Sequence, residues 1–184
     1  MHPLFQQASG LTETIIGAAI EVHRDKGPGL IESIYEWCLT KELGLRGLSC
    51  VSQKIVVIQY KNFTREEPLR FDLLVEGCVL VEAKAVEIIL PIHKAQLLSY
   101  MKLLDVPIGL LINFHELKVT DGVHRLILPG AGEARGIAAG GVRDRGIEER
   151  QLVRVLLEVA CPLGEEQRGA RRGAAITRHT RRGT

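Results

Sequence analysis

The first apolar pattern in the chain has the spacing of an amphipathic helix. Ile16, Ala19 and Ile20 fall on one face of such a helix, and His23 follows on the same face one turn later. Thr12 precedes the pattern and is a residue type favoured at helix N-caps. We therefore predict a helix that begins at about Thr12 and continues past His23.

A glycine- and proline-rich break, Gly27-Pro28-Gly29, separates this helix from a second one. The second helix is predicted from about Leu30 to Leu43, and Gly44 suits its C-terminal end. Its apolar residues at core spacing are Ile31, Ile34 and Cys38. Trp37, the only tryptophan, is expected to pack inside the protein.

Alternating or continuous apolar segments then replace the helical spacing. Three extended segments are predicted, at about Lys54–Tyr60, Leu69–Val75 and Cys78–Ala85. The last two are close enough in sequence to form a hairpin around Glu76-Gly77.

The remaining core elements are a helix, a buried strand and a final hairpin. The helix is predicted from about Ile92 to Leu104, and the strand is the apolar run Ile108–Phe114. The hairpin is predicted over Lys118–Leu128, with its turn at Asp121-Gly122. The resulting order, α-α-β-β-β-α-β-β, predicts an α/β fold with a central mixed sheet flanked by helices.

Charge and composition divide the chain near Pro129. Residues 1–129 hold 13 lysines and arginines against 15 aspartates and glutamates, a net charge of −2. Residues 130–184 hold 11 arginines, no lysine and seven acidic residues, a net charge of +4. We predict one domain over 1–129 and a low-complexity Arg/Gly/Ala-rich tail over 130–184, with one amphipathic helix at 147–160 and disorder elsewhere.

Other features limit the class of protein. The apolar runs are far shorter than the ~20 residues that cross a bilayer, so no membrane span is expected. The chain starts without a secretory signal, which leads us to expect a cytoplasmic protein. Four singly spaced cysteines indicate neither a zinc site nor a disulfide framework. With 4% aromatic residues, no interleaved set of basic and aromatic residues is expected for stacking on single strands.

Two carboxylates lie inside apolar strands, where an unpaired carboxylate is costly, and a lysine follows the second one. They are Asp72, Glu82 and Lys84. Side chains alternate along a strand, so Glu82 and Lys84 emerge on the same face and place a carboxylate beside an amine. Mg²⁺ selects carboxylate oxygens, which makes these acids candidate metal ligands.

The position of Asp72 depends on the register of the predicted hairpin. A three-residue loop, with Gly77 at positive φ, pairs Val75 with Val79 and makes Asp72 face Glu82. A two-residue loop sends the two carboxylates to opposite faces unless a bulge intervenes. A shared site therefore predicts the longer loop or a bulge.

The order of these residues resembles a known group of proteins. Asp72, then Glu82-Ala83-Lys84, then Gln96-Leu97-Leu98-Ser99-Tyr100 is similar to the D…ExK…QxxxY order of RecB-like members of the PD-(D/E)xK nuclease superfamily. Upstream, Gly29-Leu30-Ile31-Glu32-Ser33-Ile34-Tyr35 has the motif that names the GxxExxY protein family of the same superfamily. The resemblance extends from about Leu11 to Leu128 and stops at the tail.

This resemblance implies a restriction-endonuclease-like three-layer sandwich and a metal-dependent nuclease. Asp72 and Glu82 are the expected ligands of Mg²⁺ or Mn²⁺, with Glu32 and the Ala83 carbonyl as further ligands. Lys84 is the expected partner of the attacking water. Nucleic acid is the implied substrate, DNA before RNA, and the oligomeric state is left open.

Two residues of the third helix complete the expected site. Gln96 and Tyr100 are four residues apart and hence neighbours on the helix, where they can hydrogen-bond to the carboxylates, the lysine or a nucleotide. His23 and His93 can contact a phosphate or a metal, but capping or packing roles are the more common ones near helix ends.

Two other functions stay open at this point. One is a nuclease-fold protein without turnover that acts as a nucleic-acid-binding or regulatory partner. In its favour, the net charge of −2 before the tail gives little general affinity for a polyanion substrate; against it, Asp72, Glu82 and Lys84 are all present. The other is a structural or oligomerising domain. Metal binding through Asp72 and Glu82 is required of the nuclease and not of the other two, so a metal titration separates it from them.

Overall fold

The computed structural model describes residues 1–132, in which three α-helices flank a five-stranded sheet. The helices and strands are α1 (Phe5–Lys26), α2 (Glu32–Leu45), β1 (Cys50–Tyr60), β2 (Phe63–Val75), β3 (Val79–Lys84), α3 (Pro91–Leu104), β4 (Ile108–Asn113) and β5 (Val123–Ile127). The strands are neighbours in sequence order; β3 and β4 are parallel and the other pairs antiparallel. The predicted mixed sheet is confirmed, and the predicted helix at 147–160 lies outside the described residues.

The sheet separates two apolar cores, which gives the three layers expected from the resemblance. Side chains of α1 and α2 pack on one face, against the face of β3 that carries Val79, Val81 and Ala83. Side chains of α3 pack on the other face, where Leu80 points. Because side chains alternate along β3, Glu82 lies on the α3 side with Leu80.

Helix α1 begins earlier than predicted. It begins at Phe5 rather than near Thr12, and Thr12 is buried in its middle. The Thr12 hydroxyl donates to the Ala8 carbonyl at 3.1 Å, which is a mid-helix arrangement rather than an N-cap. The buried face includes Ile15 and Val22, whereas the predicted core residue Ile20 is exposed.

Helix α2 presents a different face to the core than predicted. Ile31 and Ile34 are 67% and 38% exposed, and Trp37, expected to pack inside, is 61% exposed. The buried residues are instead Tyr35, Leu39 and Leu43. Both sets have helical spacing, so the pattern alone did not identify the buried stripe.

The β2–β3 hairpin has the longer of the two predicted loops. Val75 pairs with Val79, and Leu73 pairs with Val81. Glu76 and Gly77 adopt positive φ angles of 48° and 65° in the loop. The predicted register of this hairpin is confirmed.

Strands β1 and β2 form a long two-stranded extension, which we call the ribbon (residues 53–60 paired with residues 63–70). At its base the register shifts, because Val51 pairs with Leu74 while Gln53 pairs with Arg70. The shift leaves two more residues in β2 than in the facing part of β1, which is a bulge. This bulge lies at Asp72.

The predicted hairpin over Lys118–Leu128 is wrong in its first half. Residues Val119–Gly122 form a short 3₁₀ helix, and only β5 pairs with β4. Gly122 lies so close to the end of β4 that an added Cβ would approach the Asn113 carbonyl oxygen to 2.5 Å. A glycine here allows the turn to pack against Asn113.

Between residues 1 and 132, none of the helices has the length and apolar content that a membrane crossing needs.

Candidate active site

Asp72 occupies a gap between two strands that have begun to separate. The last paired residues of β2 and β3 are Leu73 and Val81. Beyond them, the Ala83 N–H donates to Oδ2 of Asp72 at 2.7 Å, instead of to a main-chain carbonyl of β2. The side chain of Asp72 is thereby fixed beside the end of β3.

Glu82 and Lys84 face each other on β3, as the alternation of side chains predicts. Glu82 is 6% exposed and its Oε1 accepts a hydrogen bond from Lys84 Nζ at 2.8 Å. A buried carboxylate requires such a partner because desolvating an isolated charge is expensive. The two side chains therefore form a buried ion pair next to Asp72.

Glu32 reaches the same strand end from the first turn of α2. Its Oε2 lies 3.5 Å from Lys84 Nζ, and its Oε1 accepts a hydrogen bond from the Ala85 N–H at 3.4 Å. Lys84 is thus shared by two carboxylates, one from strand β3 of the sheet and one from helix α2. The structure brings Glu32 to the site, where it contacts Lys84 and the main chain.

Tyr35 fixes the start of α2 and hence the position of Glu32. Its hydroxyl donates to the Gly27 carbonyl at 2.6 Å and accepts from the Leu30 N–H at 3.0 Å. Its ring stacks on Phe114 with centroids 4.5 Å apart. Gly29, with φ at 101°, supplies the left-handed residue that this tight connection needs.

We expect Tyr35→Phe to destabilise the protein by about 1–3 kcal/mol, because it leaves the Gly27 carbonyl and the Leu30 N–H without their partner. The phenyl ring retains the stacking on Phe114, so the loss is confined to the hydroxyl. Urea denaturation measures the change, with Tyr60→Phe, at an exposed tyrosine, as the matched control. Equal stability of the two variants would contradict the anchoring role of the hydroxyl.

Asn113 holds the chain that leaves β3. Its side-chain oxygen accepts from the Val86 N–H at 3.1 Å, and its amide nitrogen donates to the Val86 carbonyl at 2.8 Å. The next residue, Phe114, donates its N–H to the Lys84 carbonyl at 2.7 Å. The end of β4 therefore positions Lys84, a role that the sequence analysis missed because the contacts are distant in sequence.

Helix α3 adds Gln96 and Tyr100 to the site. The Gln96 amide donates to the Tyr100 hydroxyl at 3.4 Å, as their spacing of four residues allows. Both residues line a cleft of about 520 Å³ that Asp72 and Glu82 also line. The full lining is Glu36, Ser52, Gln53, Arg70, Phe71, Asp72, Glu82, Gln96 and Tyr100.

Glu36 and Arg70 are cleft residues that the sequence analysis did not select. Glu36 follows Glu32 by four residues in α2, so helical spacing was a usable signal for it. Arg70 lies two residues before Asp72 in β2 and brings a cation to the cleft wall. The cleft therefore has four acidic groups nearby and two basic ones, Lys84 and Arg70.

The crowding of acids has an electrostatic consequence. Burial, and then the negative charge of Glu82, raise the pKa of Asp72 to about 6, although the hydrogen bond from Ala83 and the charge of Lys84 oppose the change. Burial, with the charge of Asp72, also raises the pKa of Glu36 above its usual range. A cation between these acids would relieve their repulsion.

Lys84 remains protonated in this setting. Burial lowers the pKa of its amine, but the hydrogen bond and charge of Glu82, followed by the charges of Glu32 and Asp72, outweigh that effect. The net change is a pKa above the usual value. Lys84 therefore acts as a fixed positive charge near neutral pH rather than as a proton acceptor.

The site offers two carboxylates to a Mg²⁺ ion but not a complete set of side-chain ligands. Within residues 1–132, no group of three histidine, cysteine, aspartate or glutamate side chains is arranged to hold one metal ion. Asp72 and Glu82 nevertheless supply two carboxylates to one cleft, and each uses one oxygen in the hydrogen bond described above. Mg²⁺ is commonly bound by one or two carboxylates, with water and substrate phosphate as the other ligands.

The two histidines considered in the sequence analysis have structural contacts. His23 Nε2 lies 2.8 Å from the Glu116 carbonyl oxygen, which ties α1 to the loop after β4. His93 Nδ1 accepts from the Leu90 N–H at 3.2 Å at the start of α3. These contacts agree with packing and capping roles.

The sequence matches a family model over most of the described residues. The model of the PD-(D/E)XK nuclease superfamily matches residues 9–126, which contain every element described above except the first turn of α1 and the end of β5. The chain belongs to the PD-(D/E)XK nuclease superfamily, and its five-stranded mixed sheet with three helices is consistent with that fold.

Comparisons with individual proteins add no argument about function. No curated protein matches the chain. The crystal structure of SSO0001 is 15% identical in sequence, and the match covers 85% of this chain and 89% of that one with a TM-score of 0.33.

Proposed function

We propose that the protein is a Mg²⁺- or Mn²⁺-dependent nuclease that hydrolyses phosphodiester bonds in the cleft between α2, β2 and α3. One observation carries the proposal: Asp72, Glu82 and Lys84 converge at the end of β3, with Lys84 Nζ 2.8 Å from Glu82 and Asp72 held by the Ala83 N–H at 2.7 Å. Membership of the nuclease superfamily supports the reaction class.

Asp72 and Glu82 are the proposed metal ligands. Glu32 and the Ala83 carbonyl are further proposed ligands, and Glu32 would then exchange part of its contact with Lys84 for the cation. When bound, the cation would polarise a phosphoryl oxygen and lower the pKa of a water molecule.

The protein's own residues have separate roles in this proposal. Lys84, a permanent cation beside Glu82, orients the attacking water and offsets negative charge that develops on the phosphoryl group. Gln96 and Tyr100 lie across the cleft and hydrogen-bond to the carboxylates or to a nucleotide. Arg70, on the cleft wall, offers a phosphate contact.

Within the superfamily, we propose that the chain belongs to the GxxExxY group. The three motif residues have distinct places that support this: Gly29 makes the left-handed connection before α2, Glu32 reaches Lys84, and Tyr35 anchors the connection. The proposals of DNA as the substrate and of a cytoplasmic location rest on the resemblance and on the sequence, respectively.

A panel of labelled DNA and RNA strands and duplexes tests the proposed reaction. We expect cleavage with Mg²⁺ or Mn²⁺, none with EDTA, and a loss of at least about 10³-fold in the Asp72→Ala protein, because a metal ligand is removed. Asp121→Ala, at an exposed aspartate, is the matched control and should cleave as the wild type does. Cleavage that survives both EDTA and Asp72→Ala would contradict the proposal.

A second function is favoured by one feature of the site. Lys84 is paired with both Glu82 and Glu32, so part of the acidic charge is balanced within the protein. That arrangement suits a catalytically silent nuclease fold that binds nucleic acid or a regulatory partner. Titration with Mn²⁺ by calorimetry distinguishes the two, since only the metal-dependent nuclease requires binding that Asp72→Ala abolishes.

A further inference from the structure

The ribbon extends from the cleft into solvent. Its middle contacts α3 through the buried Val56, and Ile58 and Leu69 are partly buried against the same core, but every residue from 59 to 66 is exposed. The strands nevertheless stay paired to the end, where Tyr60 faces Phe63. A two-stranded segment without a covering layer is only marginally stable in water, so the paired but uncovered tip calls for a functional explanation.

The tip of the ribbon carries two aromatic rings that face solvent. Tyr60 is 66% exposed and Phe63 is 73% exposed, and they are directly opposite each other across the turn. Lys61 Nζ lies 5.2 Å from the centroid of the Tyr60 ring. The tip thus places one lysine beside two exposed aromatic rings.

The ribbon is also positive on an otherwise acidic domain. Residues 53–70 contain four lysines and arginines against two glutamates, a net charge of +2. The other residues between 1 and 132 contain nine basic against 13 acidic residues, a net charge of −4. A polyanion is therefore attracted to the ribbon rather than to the body around it.

We propose that the ribbon is the arm that binds the substrate strand: Tyr60 and Phe63 stack on unpaired bases of a single DNA strand, whose backbone follows the ribbon to Arg70 and the cleft. Exposed aromatic faces stack on any unpaired base, and adjacent lysines and arginines contact the phosphates. This inference rests on the proposed function, since it assigns the substrate of the same cleft.

The length of the ribbon determines how many nucleotides of the DNA strand lie between the tip and the cleft. Phe63 precedes Arg70 by seven residues in β2, which corresponds to about 23 Å at the rise of a β-strand. A stacked strand advances about 3.4 Å per nucleotide. The tip therefore contacts bases roughly seven nucleotides from the phosphate in the cleft.

Binding measured in EDTA tests the arm independently of cleavage. The probes are a fluorescein-labelled 12-nucleotide DNA strand of mixed sequence, the same strand as a 12-base-pair duplex, an RNA of the same sequence, and a five-nucleotide DNA strand. The test variant is Tyr60→Ala/Phe63→Ala. The control variant, Leu45→Ala/Leu117→Ala, removes two exposed apolar side chains elsewhere on the domain.

We expect the tip variant to bind the 12-nucleotide DNA strand at least tenfold more weakly than the wild type, and the control variant to bind it within twofold. Tyr60→Phe/Phe63→Tyr should retain the wild-type affinity, because both rings can still stack. With the five-nucleotide strand, which is too short to span from cleft to tip, the tip variant and the wild type should differ by less than twofold.

Several results would overturn the inference. An equal loss for strand and duplex would indicate a charge or shape effect, and a loss for RNA alone would exclude DNA as the partner. Unchanged affinity, together with a dimer that the tip substitutions dissociate in light scattering, would assign the ribbon to a second copy of the chain. A different result, in which the protein binds the strand through the tip but does not cleave it, would contradict the proposed function and still support the arm as a binding surface.

Discussion

Replacing Lys84 by alanine is expected to lower the rate of Mg²⁺-dependent cleavage by about 10³-fold while leaving the domain folded. The amine is the only cation within hydrogen-bond distance of Glu82 among the described residues, and it stays protonated. Its removal takes a fixed positive charge from the place where negative charge develops, an effect of the size seen when one oxyanion-stabilising donor is lost. Single-turnover cleavage of a labelled DNA strand measures it.

Two controls distinguish the loss of the Lys84 charge at the site from a loss of folded protein. Lys102→Ala removes an exposed lysine of α3 and should cleave as the wild type does. Lys84→Ala also leaves Glu82 buried without its amine, so thermal unfolding in EDTA must be measured alongside. Cleavage within threefold of the wild type in a folded Lys84→Ala protein would remove Lys84 from the proposed mechanism.

The charged part of the site was predictable because its geometry is local. Glu82 and Lys84 are two positions apart on a strand, which is enough to place them on one face, and the loop residue Gly77 with its positive φ supports the register of the hairpin. These arguments need only the strand and its turn. The contact of 2.8 Å between Glu82 and Lys84 agrees with them.

The remaining parts of the site depend on contacts that are distant in sequence. Asn113 binds the main chain of Val86, and Glu36 enters the cleft because α2 docks with Tyr35, Leu39 and Leu43 inward. Ile31, Ile34 and Cys38 have equally good helical spacing, so the sequence pattern does not choose between the two faces. The choice is made by the packing of Tyr35 on Phe114, a residue 79 positions away in the chain.

The bulge in β2 illustrates the same limit. The bulge can be recognised only from the way β2 pairs with β1, and Asp72 lies within it. The bulge lets β2 separate from β3, which frees the Ala83 N–H to bind the Asp72 carboxylate. A local irregularity of the sheet therefore creates the gap in which the proposed metal ligands meet.

Asp72→Asn is expected to stabilise the metal-free protein at pH 7.5 by up to about 3 kcal/mol while abolishing metal binding. The pKa of Asp72 is about 6 in the folded protein, against the ordinary aspartate value of 3.8 in the unfolded chain. The folded state thus holds the proton more tightly, so the stability of the wild type falls as pH rises from about 4 to about 6. Each pKa unit corresponds to 1.36 kcal/mol.

The amide of asparagine has no proton to lose in this range and can still accept the hydrogen bond from Ala83. The Asp72→Asn protein should therefore match the wild type below pH 4 and exceed it above pH 6, when both are unfolded by urea in EDTA. Saturating Mg²⁺ should reverse the order at pH 7.5, because a ligand that binds only the folded wild type stabilises it. An advantage of Asp72→Asn that is equal at pH 4 and pH 7.5 would show that packing causes it, and not the burial of the Asp72 charge with its repulsion by Glu82.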